Sequence, residues 1–216
     1  MNLLVTAGPT REYIDTVRFV SNPSSGKMGY AVAVEAAGRG HHVTLIAGPV
    51  ALADPPNMEI THVVSARQML DAVLSRFEQC HAVVMTAAVG DYRPVTCLDR
   101  KLPKQNQPRL LELQPTEDIL AYLGQRRAHQ ALIGFAMEDH EPHARAEDKL
   151  RRKRCDAIVL TGMGNVGSDT GTIEILDRVA GWSGPVSGAK SKLARVVVDL
   201  AENWVSMGST GVPIGQ

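Results

Sequence analysis

The residues best suited to chemistry are concentrated in a few turn-rich segments of this 216-residue chain. Ser24-Ser25-Gly26-Lys27 stands directly ahead of a run with helical spacing. The free N–H groups of a helix start, two hydroxyls and an ammonium together suit a phosphate. The same serines serve equally well as a helix cap. Gly26-Lys27 is not a Walker loop, because Ser21 replaces its first glycine and Met28 its Ser or Thr. The loop after the first strand offers only Gly8 before Pro9, so the glycine fingerprint of dinucleotide binding is absent. Taken alone, Arg18 can pair with a surface carboxylate, and Asn22 before Pro23 can shape a turn. Lys149 and Lys153 stand at i and i+4 and share a helix face. With Arg145, Arg151, Arg152 and Arg154 nearby, that face also reads as a solvated basic surface. Lys101 and Lys104 lie in a long polar stretch, Asp91 follows a strand, and Glu117-Asp118 precedes a helix.

These groups need elements to hold them. Leu3 to Thr6, Val43 to Ala47, Ile60 to Val64, Ala82 to Ala87, Ala131 to Ala136 and Ala157 to Leu160 read as strands. Helical spacing is expected over Gly29 to Gly38, Ser65 to Glu78, Thr116 to Gln125, His143 to Arg154 and Lys190 to Trp204, with Ser65 as a cap. Continuous apolar strands alternating with helices argue for a parallel, doubly wound sheet covered on both faces. Thr172 to Leu176 is a late strand. Pro94 to Leu113 lacks periodicity, Gly162 to Gly171 is glycine-rich, and 208–216 is expected to fray as a tail after one domain over 1–207. In such sheets ligands bind beyond the carboxyl ends of the strands. The loops at Gly8 to Ser25, Gly48 to Pro56, Val89 to Lys104 and after Phe135 are therefore the places for a site.

Composition narrows the classes further. Lys and Arg total 23, as do Asp and Glu, so no net field attracts nucleic acid or an anionic membrane. Aromatic residues make up only 4%, too few for a base-stacking platform. Cys80, Cys97 and Cys155 have no CxxC spacing, which suggests neither a zinc site nor a disulfide framework. No signal-like segment precedes the first strand and no apolar run reaches membrane-span length, so a cytoplasmic setting is expected.

Ala7-Gly8-Pro9-Thr10-Arg11-Glu12, Ile14-Asp15, Val17-Arg18-Phe19-Val20-Ser21-Asn22 and Ser24-Ser25-Gly26-Lys27-Met28-Gly29 resemble the opening signature of the phosphopantothenoylcysteine synthetase family. So do Ala87 to Arg93, Lys101-Leu102-Pro103-Lys104, Glu117 to Leu120 and Gly134 to Glu138. The likeness runs in order from about Asn2 to Asp199. It implies a Rossmann-like, three-layer α/β fold with a lid loop and a late β extension. It also implies a ligase of coenzyme A synthesis. The 4′-phosphopantothenate carboxylate would attack the α-phosphate of CTP, and the amine of L-cysteine would then displace CMP from the acyl-cytidylate.

The resemblance also assigns roles. Asn22, supported by Arg18, would hold the acyl-nucleotide, and Lys101 on the lid would meet the phosphates. Met85, Thr86, Ala87, Asp91, Glu117, Asp118, Ile119, Leu120, Phe135, Lys149 and Lys153 would bind nucleotide. Ser24, Ser25, Gly26 and Lys27 would take the substrate phosphate. Mg2+ would accompany CTP, its ligands unassigned, and no flavin would be needed. A homodimer is implied, and a separate decarboxylase is a conceivable partner, since relatives fuse this half to a flavin-dependent one. The chain departs from the family pattern at Pro103, where a lysine is usual, and at Thr161 and Gly171, where asparagine is. Two alternatives stay open: a nucleotide-binding regulatory or scaffold domain without ligase activity, and a nicotinamide-dependent reductase, which the missing fingerprint disfavours.

Overall fold

The computed structural model describes residues 1–209. The chain enters the sheet with β1 (Asn2–Ala7). A small hairpin of β2 (Arg11–Tyr13) and β3 (Phe19–Ser21) follows. Helix α1 (Lys27–Gly38) returns the chain to β4 (His42–Ala47), and a loop leads to β5 (Glu59–His62). Helix α2 (Ala66–Phe77) crosses to β6 (Ala82–Met85). Its start is the expected Ser65, in a capping box with Gln68 that satisfies two end groups reciprocally. A ribbon of β7 (Tyr92–Pro94) and β8 (Leu113–Pro115) carries the long polar segment as its loop. Then come α3 (Ile119–Arg126), β9 (Ala131–Met137), α4 (Pro142–Arg152) and β10 (Ala157–Thr161). After a short 3-10 turn, Met163–Asn165, the chain adds β11 (Thr170–Asp177), β12 (Gly181–Trp182) and β13 (Val186–Ala189), and closes with α5 (Lys190–Ser209).

The large sheet runs β12-β11-β10-β9-β6-β1-β4-β5, with β13 also paired to β11. From β5 to β10 every neighbour is parallel; β11 to β13 form an antiparallel extension. The parallel part has the order of the doubly wound dinucleotide-binding fold, with the switch point between β1 and β6. Side chains alternate between the two faces. Leu3, Val5 and Ala7 pack under α1 and α5, while Leu4 faces the layer of α2, α3 and α4. This period of two, with both faces apolar, is why the strands read as unbroken hydrophobic runs.

Gly29 fixes how α1 sits. A Cβ there would overlap the Thr86 hydroxyl and the Ala7 Cβ, so only glycine lets the first turn of α1 lie against the ends of β1 and β6. Gly26, with φ 75°, makes the left-handed turn into the helix.

Several local expectations change. The fourth sequence strand stops at Met85, so Thr86 and Ala87 belong to the loop. Helix α3 begins at Ile119, with Asp118 as its cap, not at Thr116. Residues 208 and 209 continue α5 rather than begin a tail, and 210–216 lie outside the described residues. The two small ribbons were not foreseen.

Candidate active site

A cleft of about 910 Å³ opens at the carboxyl ends of β6, β9 and β10. Every residue to which a binding or catalytic role was assigned lines it except Arg18 and Lys101; Lys104, Arg151 and Arg154 also lie outside it. One wall is the start of α1 with Ser24 to Gly29 and Asn22; the floor is Met85 to Asp91; α3 contributes Glu117 to Leu120. The ends of β9 and α4 supply Phe135, Lys149 and Lys153, and the far wall is Thr161 to Gly167 with Lys190.

The α1 start is open to an anion. Its cap is Gly26, with no side-chain capping bond and no acid in the first turn. Ser24 Oγ reaches only the Gly26 amide, at 3.4 Å. The capping alternative for the serines is thus not realised, and the helix end keeps the donors and partial positive charge that attract phosphate. Lys27 Nζ, however, is engaged across the cleft with Asp169 Oδ1 at 2.6 Å and the Gly167 carbonyl at 2.9 Å.

Asn22 Nδ2 donates to the carbonyls of Ala88 and Val89, at 3.3 and 3.1 Å. Its amide therefore ties the loop before α1 to the loop after β6. The Ala88 backbone is itself held by the loop after β1, since its N–H donates to Gly8 O at 2.9 Å and its carbonyl accepts from Thr10 N at 3.3 Å. Asp91, in contrast, presents a carboxylate with no hydrogen bond or ion pair among the described residues. Glu117 accepts from Arg93, and Asp118 both caps α3 through the Ala121 amide and pairs with Lys153.

On α4 the basic face divides. Arg151 and Arg154 are exposed, whereas Lys153 is 9% exposed and Lys149 half-buried. Lys149 Nζ donates to the Phe135 carbonyl at 2.7 Å. Burial, reinforced by the Lys153 charge, lowers the Lys149 pKa below the usual lysine range. Lys27 and Lys153 each meet a carboxylate, Arg152 pairs with Asp148, and Arg145 lies 3.7 Å from Glu138. Among the described residues, Lys149 and Lys190 are the cleft cations with no acidic partner. Lys190 Nζ reaches only the Asn165 carbonyl, at 3.2 Å, and burial lowers its pKa too.

Arg18 and Lys101 lie outside the cleft lining. Arg18 Nη1 donates to Asp15 Oδ2 at 2.9 Å and to the Leu102 carbonyl at 3.0 Å. Lys101, next in chain to Leu102, is exposed.

Sequence reasoning missed Lys190, taken only as a helix start, and Asp15, quoted within a motif but given no role. It also missed how Thr161 and Gly171 are linked. The Asn165 side chain fills the space above Gly171, where a Cβ would lie 2.7 Å from its Cγ. Its amide donates to Thr161 Oγ1 and to the Thr172 carbonyl, and its oxygen accepts the Thr172 N–H at 3.1 Å. One asparagine thus braces the far wall between Thr161 and Gly171.

No described helix is long and apolar enough to cross a membrane. Among the described residues no group of three or more His, Cys, Asp or Glu is placed to hold a metal ion.

Comparison with known proteins agrees with this architecture. The chain is 44% identical to the coenzyme A biosynthesis bifunctional protein CoaBC of Mycobacterium bovis, over 94% of this chain and 52% of that protein. It is 40% identical to a protein named cysteine/cysteine sulfinic acid decarboxylase from an unidentified prokaryote, over 82% of this chain and 51% of the other. The chain spans about half the length of these curated relatives. A crystal structure of the C-terminal domain of CoaBC superposes with a TM-score of 0.81 at 36% identity, covering 95% of each chain. With residues 1–204 matched by the family model described as "DNA/pantothenate metabolism flavoprotein C-terminal domain", the chain belongs to that family.

Proposed function

We propose that this domain is a phosphopantothenate–cysteine ligase that uses CTP and forms an acyl-cytidylate. The observation that carries the reading is the cleft itself. It joins an uncapped helix start, a free carboxylate at Asp91 and two ammonium groups without acidic partners, Lys149 and Lys190, at the switch point of a doubly wound sheet.

In the first half-reaction a 4′-phosphopantothenate carboxylate oxygen attacks the α-phosphorus of CTP, and pyrophosphate leaves. Lys149, fixed by one bond to Phe135, keeps two N–H groups for phosphate oxygens. Asp91 accepts from the ribose hydroxyls. In the second, the cysteine amine attacks the acyl carbon and CMP leaves. There the Asn22 amide, once released from Ala88 or Val89, donates to the developing oxyanion. Lys101 reaches the triphosphate from the 95–112 loop. Mg2+ enters as part of the nucleotide substrate. Mg2+ is commonly held by one or two carboxylates plus substrate phosphates, so the nucleotide itself supplies most of its ligands. No step uses a flavin.

A homodimer fits the surface next to the cleft. Val17, Phe19 and Val20 on the first ribbon and Tyr92 on the second are exposed, and a second copy packed there would help enclose the substrate. The thiol-bearing product carries the cysteine carboxylate and is chemically suited to a following decarboxylation.

The test is pyrophosphate release with each of the four nucleoside triphosphates, with and without phosphopantothenate, in the presence of cysteine and Mg2+. Release with CTP that requires phosphopantothenate and stops in excess chelator is expected. Nucleotide binding without turnover would favour the regulatory-domain reading instead.

A further inference from the structure

We propose that Asp15 is a positioning residue for Lys101, acting with Arg18 through the backbone of Leu102. The proposal rests on the reading above, in which Lys101 meets the triphosphate.

Asp15 is fully buried, 0% exposed, at the turn of the β2–β3 hairpin. Its Oδ1 accepts the amides of Val17 and Arg18, both at 2.8 Å. Its Oδ2 accepts the Arg18 guanidinium at 2.9 Å and the Leu102 amide at 3.0 Å. Arg18 Nη1 also donates to the Leu102 carbonyl at 3.0 Å. The carboxylate and guanidinium together therefore hold both polar groups of one residue in the long loop, as a neighbouring strand would. Leu98 N adds a bond to Ile14 O at 3.0 Å.

Beyond Leu98 that grip is the loop's mooring among the described residues. From Asp99 to Leu113 every residue is exposed except Leu102. Lys101 is bonded covalently to the moored residue, so the grip limits where its Cα can travel. A lysine that must place charge on a phosphate benefits from this, because each ångström of misplacement forfeits part of the orientation that catalysis depends on. The Leu102 amide is also the foremost cause of the Asp15 pKa falling to about 2, so the grip stays charged at neutral pH. Arg18 on this account acts from outside the cleft, as a bridge between Asp15 and the loop.

A double-substitution cycle separates action through Lys101 from a local effect on the hairpin. Turnover and the KM for CTP are measured by pyrophosphate release for Asp15→Asn, Lys101→Gln and the pair, with trypsin nicking after Lys101, Lys104 and Arg109 followed in parallel. Asp15→Asn is expected to lower turnover roughly tenfold or more, to speed nicking, and to cost nothing further in the Lys101→Gln background. Arg18→Met removes the Nη1 that donates to both Asp15 and Leu102, so it carries the same cycle if Asp15→Asn fails to fold. Multiplying effects in the pair, or normal turnover in Asp15→Asn, would overturn the positioning role. Normal turnover in Lys101→Gln would instead overturn the underlying assignment of Lys101, and with it the proposal.

Discussion

Asn22 Nδ2 lies 3.1 Å from the Val89 carbonyl oxygen, so the amide that would meet an acyl oxygen is spent, in this state, on bridging two loops. Asn22→Asp keeps the size but sets a carboxylate against carbonyl oxygens and removes the donor. The acyl-cytidylate is expected to form with one pyrophosphate per site, then to pass slowly to cysteine and accumulate. Mass spectrometry after rapid denaturation detects it. Equal slowing of both half-reactions would mean that Asn22 only holds the loops together.

Lys149 gives the nucleotide site a pH dependence. Its pKa is lowered in the folded protein, chiefly by burial and then by Lys153, so it loses its proton below the usual lysine value. The unfolded chain then binds more protons across that interval, and folding stability from this group rises with pH through it. Nucleotide affinity moves the other way, because the neutral amine no longer attracts phosphate. Titration calorimetry with CTP is expected to show binding weakening on the alkaline side at a pH below 10.5. Lys149→Arg, with a guanidinium that stays charged, is expected to flatten that limb. An unchanged alkaline limb in Lys149→Arg would remove Lys149 from the phosphate contacts.

The parallel core was legible in the sequence because burial on both faces writes strands as apolar runs such as Leu3-Leu4-Val5. The Ser65 cap was legible because Gln68 completes its box. The two ribbons were not. Each strand is three residues long, and Arg11-Glu12-Tyr13 shows no alternation that would separate a strand from a reactive loop. The cleft residues were found through motif order, yet their partners were hidden. Asp15 and Leu102 are 87 positions apart, and nothing local in the chain announces that one holds the other. Asn165 was overlooked for a similar reason, since its role depends on the space that Gly171 leaves.

Gly29→Ala tests whether the approach of α1 to the sheet sets the anion end of the cleft. The added methyl meets Thr86, Ala7 and the Thr6 carbonyl, none of which is the far end of a flexible side chain. Overpacking of this kind costs about 1–3 kcal/mol, which for a domain of this size lowers Tm by roughly 2–12 °C. Because α1 must shift as a unit, the KM for phosphate-bearing substrates should rise in protein that remains folded at the assay temperature. A lower Tm with unchanged KM would mean that the helix start does not contribute to binding.

Lys190 is the other cleft ammonium without a carboxylate partner; it stands on the far wall at Asn165, where burial and the Lys27 charge both lower its pKa. Lys149 lies on the α3 and β9 side, against Phe135. Two substrates of the proposed reaction carry phosphate, and two separated cations divide naturally between them. Lys190→Met is expected to raise the KM for phosphopantothenate by roughly 10- to 100-fold, the weight of one charge-assisted hydrogen bond of about 1.5–3 kcal/mol, with the KM for CTP little changed. Lys149→Met should do the reverse. Rising salt should weaken the two sites less than it would surface contacts, because both ammonium groups are partly withdrawn from water. If Lys190→Met instead raises the KM for CTP alone, the triphosphate extends to the Lys190 wall of the cleft, and the acid substrate must find its phosphate partner elsewhere.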